Sequence, residues 1–417
     1  MKKNRILPFL LASTLFLTST GCGNQPSTLD NVTQKPNQQS VTQKTPDETF
    51  QTSQMNFALD LFQETVARDK GDDILVSPLS VMLALSMTAN GAKGNTLTEM
   101  EQVLGQTLTI EDLNSYLSSY VSSLPSEDDY KLHIANSIWF RDSPNFSVKD
   151  EFLQTNADYY QADIFQSAFD KQTVRQINNW VSQNTDRMID EIVEKIDSTH
   201  VMYLINALSF DAKWQTPYNN YDVQKGKFTA IDNEIESVEM MSSIENFYLE
   251  DENVTGFIKD YKDGAYRFVA LLPNENVNIY DYIAGLSEES LLQTLKNAKN
   301  LSVSATLPKF SYDYDVKLND ILKRLGITTA FDKKLADFSN LGSSDFGNLY
   351  IGNVLHKTFI SVDELGTKAG AATSVEIKAE GALMIDKVVE LNRPFVYMIL
   401  DGETNLPIFI GTVMEID

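Results

Sequence analysis

The chain has 417 residues, 42% hydrophobic and 10% aromatic, which is ample for a large core; length alone suggests two or three domains. A formal net charge of −24 argues against nucleic acid as a partner, because phosphate contacts need clustered Lys and Arg. The single cysteine excludes an internal disulfide, and three histidines far apart in sequence (His133, His200, His356) give a metal or catalytic centre thin support, so no metal and no cofactor is expected.

In chain order, Lys2, Lys3 and Arg5 precede the apolar run "ILPFLLASTLFL", followed by "TSTGCG". The run is too short to span a bilayer as a mature helix and reads as a signal peptide, residues 1–21. Thr20 and Gly21 directly before Cys22 resemble a bacterial lipobox, with Ser19 where a leucine is usual. Cys22 is therefore expected to carry a lipid that holds the protein in the cell envelope outside the cytoplasm, the chain's one link to a membrane. Ordinary secretion with a free thiol stays open. Residues 22–52 are rich in Gln, Thr, Asn, Ser and Pro and read as a flexible linker, with a span on the order of 30 Å.

Globular patterning begins near residue 53 and continues to the end, so 53–417 reads as one large domain, against the length prior. "NFALDLFQETVARD" has helical periodicity. Ser77 and Pro78 read as the N-cap and first residue of a helix over "PLSVMLALSMTA". Thr96 and Glu99 fit a capping box, and Gly105 ends that helix. "TVRQINNWVSQNTDRMIDEIV" reads as a further helix. Strands are expected over "LHIANSIWF", "VMYLINALSF", "RFVALLPNE", "LSVSATLPKF", "PFVYMILD" and "PIFIGTVM". Without regular βα alternation, the class is α+β.

Catalytic signatures are absent: no G-x-S-x-G, no H-E-x-x-H, no phosphate-binding glycine loop and no C-x-x-C. Ser343 and Ser344 read as loop residues, Asp72–Asp73 and Asp128–Asp129 as solvated pairs, and His133 and His200 as surface or packing residues. The chain does not read as an enzyme.

One stretch needs a separate account. From Thr367 the odd positions of "ELGTKAGAATSVEIKAEGALMI" are Thr, Ala, Ala, Thr, Val and Ile, and the even ones Lys, Gly, Ala, Ser, Glu and Lys. Such alternation marks a half-buried strand, yet its glycines and alanines are poor strand formers. It is written as a strand that does not hold itself in place.

Six ordered motifs resemble the serpin family from about residue 53 to the C-terminus: "VSPLSV", "NGAKGNT", "INNWVSQNT", "NALSFDAKW", "VDELGTKAGAATSV" and "LNRPFVYMI…PIFIGTV". Two departures stand out. Asp211–Ala212 replace Lys-Gly before Lys213–Trp214, and "TDRMI" stands where T-x-G-K-I is usual.

The resemblance implies the serpin fold, with helices around three β-sheets and an exposed reactive-centre loop, in a monomer. It implies a suicide inhibitor of serine or cysteine proteases, whose cut loop inserts into the middle of the main sheet; the partner is the target protease. A non-inhibitory serpin acting as a binding module is the alternative. The implied hinge comprises Glu364, Gly366, Thr367, Ala369, Ala371, Ala372 and Thr373. On insertion Thr367, Ala369, Ala371, Thr373, Val375 and Ile377 would face the core. Trp214 and Glu364 would sit at the breach where insertion starts. Asn206, His356, Ser77 and Ser80 would form a hydrogen-bonded shutter beneath the sheet. Counting seventeen from Glu364 places the reactive bond at Glu380–Gly381, with Lys378, Ala379 and Leu383 as competing positions.

Overall fold

The first described helix, Glu48–Arg68, is capped by Asp47, whose carboxylate accepts from the amide of Phe50 at 3.0 Å and from the Tyr116 hydroxyl. Residues 41–367 and 384–416 are described by this computed structural model, all within one unit, Asn31–Asp417. The helix takes in Glu48–Thr52, which composition assigned to the linker. Phe50 is fully buried there, and Lys44 pairs with Asp112. One well-placed aromatic and one cap outweigh a polar average, so the folded body begins before residue 48.

Ser77 caps the helix Pro78–Ala89, with proline in its first turn, as the sequence implied. The next helix corrects the capping-box reading. It runs Gly94–Leu104 with Lys93 at the cap position and no side-chain cap, while Gly105 does end it. Thr96 and Glu99 are spent elsewhere: Thr96 Oγ1 accepts from Asp337 N, and Glu99 from the amides of Thr328 and Thr329. The helix expected over 173–193 is Lys171–Asn184 only. Asp186 and Arg187 turn left-handed, at φ 48° and 61°, and end it. Arg187 occupies the glycine position of the usual T-x-G-K-I.

All six expected strands exist, but "LSVSATLPKF" divides. Lys299–Pro308 belongs to a nine-stranded sheet and Phe310–Lys317 to a six-stranded one. A two-stranded sheet completes the set among the described residues. The C-terminal strands Phe395–Asp401 and Pro407–Val413, buried along their whole length, pair inside the larger sheet and fix the core. The fold is α+β, with helices packed around the sheets.

In the six-stranded sheet, Phe310–Lys317 pairs with Leu355–Val362 along its full length, and Met202–Lys213 pairs with Tyr130–Arg141 from Met202 to Ala212. Between these two sets lies one short strand, Gly366–Thr367.

Candidate functional site

The turn Asp363–Gly366 brings the chain back from Leu355–Val362. Asp363 Oδ1 accepts from the amides of Leu365 and Gly366 at 2.8 and 3.2 Å and closes the turn. Thr367 then pairs with Val362 on one side and Ala212 on the other, and Gly366 pairs with Lys213. Glycine is needed at 366, since a Cβ there would lie 2.0 Å from the Ala212 carbonyl oxygen. Thr367 is 2% exposed, and its hydroxyl lies 2.5 Å from the Tyr261 hydroxyl. Gly366 and Thr367, the first residues of the expected hinge after Glu364 and Leu365, therefore already lie in the sheet.

Below that rung no described strand lies between the two sets. Among the described residues, 355–361 and 202–211 have no ladder partner along their facing edges. A cleft of about 740 Å³ lies at this seam. Val81 and Leu85 of the helix Pro78–Ala89 line it, with Asn206 and His356 on the two separated strands.

Of the two expected breach residues, Trp214 bonds to the chain on either side of Glu364 and not to Glu364 itself. Trp214 donates from its indole to the Asp363 carbonyl (2.8 Å) and from its amide to that of Leu365 (2.9 Å). Tyr218 donates its amide to the Glu364 carbonyl at 2.9 Å. The Glu364 carboxylate lies 2.7 Å from Lys309 Nζ, and that hydrogen bond holds its pKa below the usual range. Lys309 was not singled out from the sequence. It stands where the chain passes from one sheet to the other, so only the break after Pro308 reveals its place. Tyr261 gave no sequence signal.

The shutter residues are only partly joined. His356 Nε2 accepts from the amide of Ser77 at 3.0 Å, and Ser77 Oγ accepts from the amide of Ser80 at 3.3 Å. Burial lowers the His356 pKa to about 4 and keeps the ring neutral. Asn206 corrects the expectation of one hydrogen-bonded set. Its amide donates to Asn136 Oδ1 at 2.9 Å, on the neighbouring strand, and its own buried Oδ1 has no partner. Asn206 and His356 stand on strands that the seam keeps apart. Asn136 could have been found from the sequence, since "IANSIW" and "INALSF" set one asparagine in each of two consecutive strands.

Ala369, Ala371, Ala372, Thr373, Glu380, Gly381 and Cys22 lie outside the described residues. Among the described residues no helix is long and apolar enough to cross a membrane, and no acidic, His or Cys group could hold a metal.

Comparison with known proteins identifies the family. The family model described as Serpin (serine protease inhibitor) matches residues 52–416. The plasma serine protease inhibitor of Mus musculus is 30% identical over 371 residues, covering 87% of this chain and 89% of that protein. A serpin-like protein of Thermococcus kodakarensis is 29% identical, covering 86% and 84%. Among solved structures, the thermophilic serpin tengpin in its native state is 52% identical with a TM-score of 0.87, covering 92% of this chain and 97% of that one. Tengpin in its latent state is 51% identical with a TM-score of 0.82, covering 90% and 100%. With its fold, its seam and a family match over most of its length, the chain belongs to the serpins, a family of serine protease inhibitors.

Proposed function

We propose that this protein inhibits serine or cysteine proteases by insertion of its cleaved reactive loop. The observation that carries the proposal is the seam: two strands whose facing edges have no ladder partner among the described residues, joined at the top by Gly366–Thr367, above an apolar floor. An open edge inside a sheet is an unmet demand for backbone partners. Residues 368 onward continue from Thr367, and their odd positions are small or apolar.

The steps are those the family resemblance implies, set on this arrangement. The protease nucleophile attacks the carbonyl carbon of Glu380, the bond to the Gly381 nitrogen breaks, and the new amine leaves with a proton. The acyl-enzyme remains on Glu380. The freed strand zips downward from Thr367, placing Ala369, Ala371, Thr373, Val375 and Ile377 inward. Each buried Val or Ile contributes about 1.5–3 kcal/mol, and each new ladder hydrogen bond about 0.5–1.5 kcal/mol. Buried Asn206 Oδ1 and Ser209 Oγ, on the open-edged strand, lack partners in the described structure and could gain them from an incoming strand. Tethered to the moving end, the protease is carried along and distorted before water completes the cycle.

Ala372 completes the small-residue hinge of this reading. We further read the protein as a lipid-anchored monomer of the cell envelope, held at Cys22 by a short linker that ends before Glu48, with residues 1–21 removed. Globomycin, which blocks lipoprotein signal cleavage, would then leave the precursor unprocessed in the producing bacterium. Trapping is tested with proteases of basic-pocket, trypsin-like and subtilisin-like specificity. An SDS-stable complex is expected, releasing a C-terminal peptide that begins at Gly381. A peptide beginning at Ala379 or Met384 redirects the search for the target. Cleavage without any complex supports the non-inhibitory alternative.

A further inference from the structure

Behind the segment 214–218 lies a buried ion pair. Lys259 Nζ is 2.7 Å from Glu245 Oε1, and the lysine is 2% exposed. A buried ammonium is costly unless it is paired and further coordinated. Here the coordination falls on one short stretch of chain. Lys259 Nζ lies 3.4 Å from the Thr216 carbonyl, 4.3 Å from the centre of the Tyr218 ring and 5.4 Å from that of Trp214. Ser243 Oγ donates to Glu245 Oε1 at 2.6 Å and approaches the Tyr218 hydroxyl at 3.4 Å. The same stretch turns its other side to the hinge. Trp214 and Tyr218 make the three hydrogen bonds to Asp363, Glu364 and Leu365 described above.

We propose that Lys259 is a positioning residue for loop insertion: with Glu245 it fixes the segment 214–218, and through it holds the hinge turn Asp363–Gly366 against spontaneous entry. The proposal rests on the insertion reading given under Proposed function. A cation beneath two aromatic faces fixes the rings in place as well as filling space. An apolar side chain at 259 would keep the packing but lose the bonds to Glu245 and Thr216. Replacing a buried pair by uncharged groups is often neutral or stabilising for the fold. Positioning and stability can therefore be separated by experiment.

The test is the double variant Lys259→Met/Glu245→Gln, in the full chain. Three quantities are read: amide hydrogen exchange at 214–218, the rate of spontaneous activity loss at a fixed temperature below melting, and the melting temperature. Expected are exchange faster by about tenfold and inactivation faster by severalfold, with no fall in melting temperature. Glu245→Gln alone, which leaves Lys259 buried without its counter-charge, changes both rates in the same direction and serves if the double variant does not fold. Wild-type values for exchange and inactivation overturn the proposal, whatever the melting temperature does. Exchange is measured without protease, so it judges the clamp apart from insertion. A wild-type chain that neither traps protease nor gains heat stability when its loop is cut overturns the insertion reading itself, and the proposal with it.

Discussion

The hydroxyls of Thr367 and Tyr261 lie 2.5 Å apart, both buried, at the upper end of the six-stranded sheet. Thr367 is thus already the first rung of the strand that the loop would add. Thr367→Arg places a charge at a buried position, at a cost of several kcal/mol, so the arginine would be expelled and the hinge with it. The variant is expected to fold and to be cut by the target protease without trapping it. Gel densitometry of complex against cleaved product checks this. Trapping at wild-type stoichiometry would remove the role assigned to strand entry at Thr367.

Cutting the loop near Glu380 is expected to raise the melting temperature sharply, because the seam between Leu355–Val362 and Met202–Lys213 gains a full ladder. Calorimetry before and after a single clean cut reads this directly. An unchanged melting temperature favours the non-inhibitory alternative.

His356 sets an acid limit. Burial depresses its pKa to about 4, against an ordinary 6.5, so the fold prefers the neutral ring that accepts from Ser77 N. A depressed pKa contributes stability that is present above pH 6.5 and lost as pH falls toward 4. At about 1.4 kcal/mol per pH unit, the full loss is on the order of 3 kcal/mol. His356→Gln should flatten the stability profile between pH 6.5 and 4. A profile as steep as wild type would assign the acid sensitivity to other groups.

Arg187 stands at φ 61°, where a side chain costs about 1–2 kcal/mol. Arg187→Gly relieves that strain but adds about 0.5–1 kcal/mol of unfolded-state entropy. The expected net effect is a gain of up to about 1.5 kcal/mol, read by thermal unfolding. A loss would mean that contacts of the Arg187 side chain outweigh the strain.

The sequence by itself determined the family, the α+β class, all six strands singled out and the Ser77 cap. Each rests on local information: side-chain period, a cap beside a proline, motifs in a fixed order. It also carried the paradox of a strand with too little bulk to hold itself in place. The helix ends were less legible. The sequence could not show that Thr96 and Glu99 fasten 328–337 instead of capping their own helix, because a side chain's partner is chosen in space. Only the tertiary structure decided that Thr367 is already inside the sheet, that Asn206 and His356 line one cleft from two strands left unpaired among the described residues, and that Lys309 pairs with Glu364 and Lys259 with Glu245. Those facts depend on which strands fail to pair. Pairing between segments more than a hundred residues apart is fixed by the packing of the whole core, and no local pattern records it.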